Sequence, residues 1–225
     1  MWVSPSDAPE IESQFERFGS AQWIPNALQL LLSPATGLGR MIVANAQDDR
    51  IVQVQRNRLH LNWRKRDSNY PSYTVLIAEF LGVFDRFAVA VKGLGFGDVR
   101  LDQWELTYID AFPKGEYWET ASEWPAVLPG LFGDLFPTDG STLALERRGA
   151  EWSFEIAPQR GRLHVSAQAG KATEADPESL LLNMTARGPI APVAGRSGLV
   201  DGLELGREVA LTAFERSASE ETRAR

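Results

Sequence analysis

The chain has 225 residues, with 30 acidic side chains against 23 basic ones and a formal net charge of −7. That balance argues against broad, non-specific affinity for nucleic acid, which depends on Lys and Arg neutralising phosphates. The absence of cysteine excludes disulfides, thiol catalysis, iron–sulfur clusters and zinc–thiolate sites. Hydrophobic residues make up 44%, including seven Trp and eleven Phe, enough for a core in one large domain or two small ones. No secretory leader pattern opens the chain and no apolar stretch reaches membrane-spanning length, so a cytoplasmic protein is the expectation.

In chain order, Met1–Pro9 reads as a loose start and Ile11–Phe18 alternates as a strand. Trp23–Leu32 reads as a short helix with Pro25 in its first turn, and Ser33–Gly39 as a loop. Arg40–Asn45 is a short apolar strand, and Ala46–Arg50, with Asp48 and Asp49, a turn. Ile51–Arg66 is then a β-hairpin. Val52 and Val54 alternate with Gln53 and Gln55; beyond Arg56-Asn57-Arg58, Leu59, Leu61 and Trp63 alternate with His60, Asn62 and Arg64. One face is therefore apolar, and the other carries amides, an imidazole and a guanidinium.

Leu76, Phe80, Phe84, Phe87 and Val91 recur at spacings of three and four. They predict a helix over about Ser72–Val91, with Ser72 at the capping position and Gly93–Gly97 as its stop. Leu101–Asp110 alternates again. Trp124–Phe136 reads as a loop and short helix, and Thr142–Arg147, Glu151–Ala157, Gly161–Gln168 and Leu180–Arg187 as strands. Gly170–Glu178 is a polar connection and Gly188–Gly198 a long Gly- and Pro-rich loop. The last element is a helix over about Gly202–Ser217, with Asp201 and Glu204 at capping-box spacing.

This order predicts an α+β fold in two halves, 10–112 and 113–218, between a loose start and a frayed tail at 219–225. Each half would run strand, short helix, antiparallel meander, long helix. Arg58-Leu59-His60-Leu61 is echoed by Arg162-Leu163-His164-Val165, which holds the second of the two histidines. The expected architecture is one curved sheet with two long helices on one face, similar in topology to the saddle of TATA-binding-protein-like folds. The alternative is a single helix-grip fold.

If the apolar residues of these strands face the helices, their neighbours form an open polar face. It would hold Gln53, Gln55, His60, Asn62, Arg64, Gln103, Glu105 and Thr107, joined by His164, Ser166, Gln168, Asn183, Thr185 and Arg187 from the second half. Such side chains both donate and accept hydrogen bonds and suit recognition of a peptide, a nucleic-acid strand or a polar ligand, although any sheet with one wet face is polar there. Arg56, Arg58, Arg64, Lys65 and Arg66 add a local basic cluster.

Catalytic signals are weak. The two histidines lack metal-ligand spacing, no Gly-x-Ser-x-Gly elbow occurs, and Gly93–Gly97 follows a helix where a phosphate loop must follow a strand. Glu105 and Glu155 are the remaining carboxylate pair, and solvated sheet charges are the simpler reading of them. Tyr117, Trp118 and Trp124 fall outside clear periodicity, as a staple between the halves or an exposed contact patch. No catalytic, cofactor or metal residue is assigned.

The blocks Ile51-Val-Gln-Val-Gln-Arg-x-Arg58, Asn62-Trp63-Arg64-Lys65, Tyr70-Pro71-x-Tyr73 and Glu105-Leu106-Thr107-Tyr108-Ile109, with Ala213-Phe214-Glu215 near the end, occur in a fixed order. In this the chain resembles a sporadically distributed, uncharacterised bacterial protein family, from about Glu10 onward. The resemblance implies no reaction. Patchy distribution implies horizontal spread, which suits phage-defence or toxin–antitoxin-like modules. The expectation is a non-enzymatic binding protein whose open sheet face, built on the residues named above with Arg56 and Arg58, engages a macromolecular partner, a protein foremost. Selective nucleic-acid binding by the same face is one alternative. The other is a helix-grip ligand-binding or hydrolase module, which would enclose a pocket between sheet and helix.

Overall fold

A computed structural model describes residues 6–11, 14–16, 18, 39–66, 70–133, 145–171 and 176–224. The helix expected over 23–32, most of the loop after it and the start of the strand expected at 142 lie outside these residues. The fold is α+β with antiparallel sheets. The chain divides into two units, Met1–Gln14 with Gly19–Val99, and Phe15–Phe18 with Arg100–Arg225.

In the first unit, β1 (Ser6–Ala8), β2 (Arg40–Ala44), β3 (Arg50–Gln55) and β4 (Arg58–Trp63) pair in that order. The hairpin register follows the alternation: Val52 faces Leu61, Val54 faces Leu59, and Gln53 faces His60 on the other side. Its two-residue turn leaves Arg56 and Asn57 exposed. Between β2 and β3 the Asn45 side chain organises the turn, its oxygen accepting the Asp49 and Arg50 N–H groups at 3.1 Å each. Asp48 there has φ +56°, a left-handed conformation that Asp tolerates better than most residues.

Helix α1 (Tyr73–Gly93) follows. Ser72 precedes it but makes no side-chain cap; its carbonyl accepts the Val75 and Leu76 N–H groups at 3.0 and 3.2 Å. Arg50, on the face of Val52 and Val54, donates to Glu79 of α1 at 2.7 Å. The apolar face is thus the one that α1 covers. Gly95 and Gly97, at φ +86° and +81°, turn the chain away after the helix ends.

In the second unit, β5 (Gln103–Pro113), β6 (Gly149–Ile156), β7 (Gly161–Gly170) and β8 (Ser179–Pro189) form a second sheet in the order β5-β8-β7-β6. Strand β5, expected as part of the first half, runs against β8 over eleven paired positions. The described strands therefore form two sheets where one was expected. The histidine echo falls on β4, which leads into a long helix, and on β7, one strand earlier in its own meander.

A short helix α2 (Trp124–Val127), a long helix α3 (Gly195–Ser217) and a final turn α4 (Glu220–Ala224) complete the unit. Helix α3 packs on β5, β8 and β7. It begins seven residues before the expected start at Gly202, so Asp201 and Glu204 lie inside it and form no capping box. Gly195 and Gly198, read as the end of the loop, form the first turn of the helix, and two glycines further along meet a tryptophan. The Trp104 ring, 2% exposed, lies against Gly202 and Gly206, and a Cβ at Gly206 would fall 2.8 Å from it. Gly161 and Gly188 of the sheet touch the same ring, where added Cβ atoms would come within 3.1 and 2.8 Å.

Trp118 and Trp124 are buried in this unit, edge to face with ring centres 5.5 Å apart. They are neither a staple between halves nor an exposed patch. The Trp118 indole N–H donates to the Phe112 carbonyl at 2.9 Å. The Val127 carbonyl accepts the Ser219 N–H and the Thr222 hydroxyl, both at 3.1 Å, fixing α2 to the end of α3. No helix among the described residues is long and apolar enough to cross a membrane.

Substituting Gly202→Ala is expected to destabilise the protein by about 1–2 kcal/mol in urea unfolding. Overpacking against Trp104 costs about 1–3 kcal/mol and exceeds the helix-propensity gain of about 1 kcal/mol. Gly93→Ala, where a Cβ meets nothing within 4 Å, should be neutral or slightly stabilising. A second expectation concerns Asp110, on the same face of β5 as Trp104, whose carboxyl is raised above its usual value by burial. The fold then holds a proton that the unfolded chain releases, so this residue lowers stability as pH rises above about 4. Asp110→Asn should raise the melting temperature at pH 7 and leave it nearly unchanged at pH 3.

Candidate functional site

With α3 on one face of the second sheet, alternation turns the polar residues of each strand to the other face. Register arranges them in cross-strand rows. One row runs Glu105, Arg187, Arg162, Glu155, and the next Thr107, Thr185, His164, Ser153. Beyond them Ile109 pairs with Asn183, and Asn183 with Ser166. The Thr107 and Thr185 hydroxyls meet at 3.0 Å, and Thr185 donates to Asn183 at 3.1 Å.

At one end of this face lies a carboxylate that sequence reasoning missed. Glu16, whose side chain is 5% exposed, reaches the first row. Its Oε1 accepts from Arg187 Nε at 2.6 Å and His164 Nε2 at 2.7 Å, and its Oε2 accepts from Arg162 Nη1 at 2.7 Å. Its backbone N–H donates to Gln103 Oε1 at 2.9 Å. The Phe18 ring lies 4.9 Å from the Arg162 guanidinium, within cation–π range. Burial opposes ionisation of Glu16, but the hydrogen bonds from His164, Arg187 and Arg162 outweigh it and bring the carboxyl from 4.5 to about 2.

Because the carboxylate only accepts, Nε2 of His164 carries a proton, and in the neutral imidazole Nδ1 then accepts from Ser153 Oγ at 3.0 Å. Ser153, His164 and Glu16 thus have the connectivity of a nucleophile–base–acid relay. A carboxylate already shared by two guanidiniums has little charge left to stabilise an imidazolium, which is what the acid of such a relay must do. Glu105 and Glu155 stand on opposite edges of the sheet, three interstrand steps or about 14 Å apart. That separation is too large for a working carboxylate pair. No group of three or more His, Asp or Glu among the described residues is placed to hold a metal ion.

Of the residues expected on one polar face, Gln103, Glu105, Thr107, His164, Asn183 and Arg187 come together on this sheet. Gln53, Gln55, Arg56, Arg58, His60, Asn62 and Arg64 belong to the first unit. There the Gln55 side chain, 8% exposed, grips the main chain of Ile11: its Oε1 accepts the Ile11 N–H at 3.0 Å and its Nε2 donates to the Ile11 carbonyl at 2.8 Å. Gln53 accepts from Arg40 at 3.0 Å. With Arg58 and His60 these residues line a shallow surface hollow. Asn62 pairs across the ladder with Ile51, and Arg56 is exposed at the hairpin tip. Arg64 and Arg66 both pair with Asp48 and hold its carboxyl below the usual range, Arg64 contributing most.

Arg162 shares the alternation of His164, and Ser153 joins them through cross-strand register, but nothing local marks Glu16, which lies 146 residues from Arg162. At pH 7, Glu16→Gln should cost about 2–4 kcal/mol in urea unfolding, because it leaves two opposed guanidiniums without their anion. The folded carboxyl titrates near 2 against 4.5 unfolded, so this contribution is complete above about pH 4.5 and lost as pH falls towards 2. The gap between wild type and variant should narrow accordingly at pH 3. In comparisons with known proteins, no family model, curated protein or solved structure matches the chain, so the functional reading rests on this geometry.

Proposed function

We propose that the protein is a cytoplasmic, non-enzymatic binding protein that engages another protein through the polar face of its second sheet. The setting is the phage-defence or toxin–antitoxin-like module that the family resemblance implies. One observation carries the reading: this face already holds a piece of polypeptide by its carboxylate and its main-chain N–H, at Glu16. Beyond that segment, on the edge strand β5, Thr107 is exposed and Ile109 is 64% exposed, an apolar side chain with hydrogen-bonding neighbours of the kind protein interfaces use.

Nucleic acid is less well served by the same face. Arg162 and Arg187 spend their charge on Glu16 and Arg64 spends its own on Asp48, and phosphate binding scales with the cations free to neutralise it. The reading also treats the two units as copies of one plan. Each runs through antiparallel strands into a long helix, α1 of 21 residues and α3 of 23.

Capture of the products of adjoining genes on immobilised wild-type protein should retain a protein partner. Thr107→Arg, which places bulk and charge on the exposed part of the face, should weaken retention at least tenfold. Arg56→Ala, at the hairpin tip of the first unit, should leave it unchanged. Retention indifferent to Thr107→Arg would overturn the proposal.

A further inference from the structure

Arg162 and Arg187 stand directly opposite each other on β7 and β8, an arrangement that repels unless an anion lies between them. The neighbouring acids are poorly placed to supply it. Glu105 reaches Arg187 only at 3.5 Å, and Glu155 gives an oxygen to the Gln159 N–H at 2.8 Å. The anion comes from Glu16, which belongs to no strand of the sheet. What occupies the cradle is chemically defined. It is a carboxylate between two guanidiniums and an imidazole, a main-chain N–H on Gln103, and an aromatic ring two residues on against Arg162.

Building on the reading that this face binds protein, we infer that the Arg162–His164–Arg187 cradle is a docking site for an acid-x-aromatic segment of the partner. Glu16 and Phe18 fill it in the unbound chain as an internal competitor. The donors do not distinguish one carboxylate from another, so any segment that offers the acid, the N–H and the ring satisfies them equally. Tethering gives the internal occupant an effective concentration in the millimolar range or above. A partner therefore binds with its intrinsic affinity multiplied by the fraction of chains in which the cradle is empty.

The test uses the full chain and a fluorescent peptide copying residues 11–18, Ile-Glu-Ser-Gln-Phe-Glu-Arg-Phe, followed by anisotropy. Glu16→Gln protein should bind it at least tenfold more tightly than wild type. That binding should fall at least tenfold when Arg187→Ala is added, or when the peptide's second Glu is replaced by Gln. Equal binding to wild type and Glu16→Gln, or binding indifferent to Arg187, overturns the inference. If Glu16→Gln does not fold, wild type is titrated with millimolar peptide and the His164 ring resonances are followed. A shift with the Glu peptide alone supports the inference, and no shift overturns it. Binding of a short single-stranded DNA in place of the peptide would also overturn it, in favour of a phosphate ligand. Absent peptide binding with capture still sensitive to Thr107→Arg removes the cradle alone. Intact peptide binding with capture insensitive to Thr107→Arg removes the wider reading alone.

Discussion

The second unit depends on the fit of one indole. Trp104 lies with glycines of β7 and β8 on one side and glycines of α3 on another. A ring of that size between a helix and a sheet would normally hold them apart. Here hydrogen atoms line the slot, so the helix axis comes close enough to seal Ala186 and Ala210, both fully buried. Much follows from that approach. It fixes which face of the sheet is covered, and so which face is polar. It also accounts for β5 belonging to this sheet, because Trp104 is a residue of β5 and its slot is made by β7, β8 and α3.

On the uncovered face the governing quantity is charge balance. A row with two adjacent guanidiniums between two carboxylates would be nearly self-sufficient if both acids reached their neighbours. They reach them poorly, and the deficit is met by a residue from the other end of the sequence. The polar face is therefore a surface with a resident occupant at one end and open hydrogen-bonding groups at the other. This division separates a part of the face that answers to acid from a part that does not.

Much of this was legible in the residues. Period-two alternation gave the β3–β4 hairpin its register and sorted Gln53 and His60 from Val52 and Leu61, because a pleated strand has no other way to separate them. Period 3.6 marked α1 within a few residues. Two things were hidden. The start of α3 was masked by Gly195 and Gly198, which weaken a helix locally. The partner of β5 was hidden because alternation specifies a strand's faces and says nothing about which neighbour it joins. Glu16 was invisible for a related reason. A carboxylate between cations is a contact in space, and the alternation of Ile11–Phe18 sorts the faces of a strand without saying which cations its acid meets.

The grip of Gln55 on Ile11 has a different kind of consequence. Both bonds go to main-chain atoms, so this contact is blind to the side chain at position 11. Any amino acid with an amide hydrogen can stand there and be held in the same way; proline alone lacks the donor. The anchor thus fixes where the chain passes while leaving that position's chemistry open, in contrast to the one at Glu16, where identity is everything.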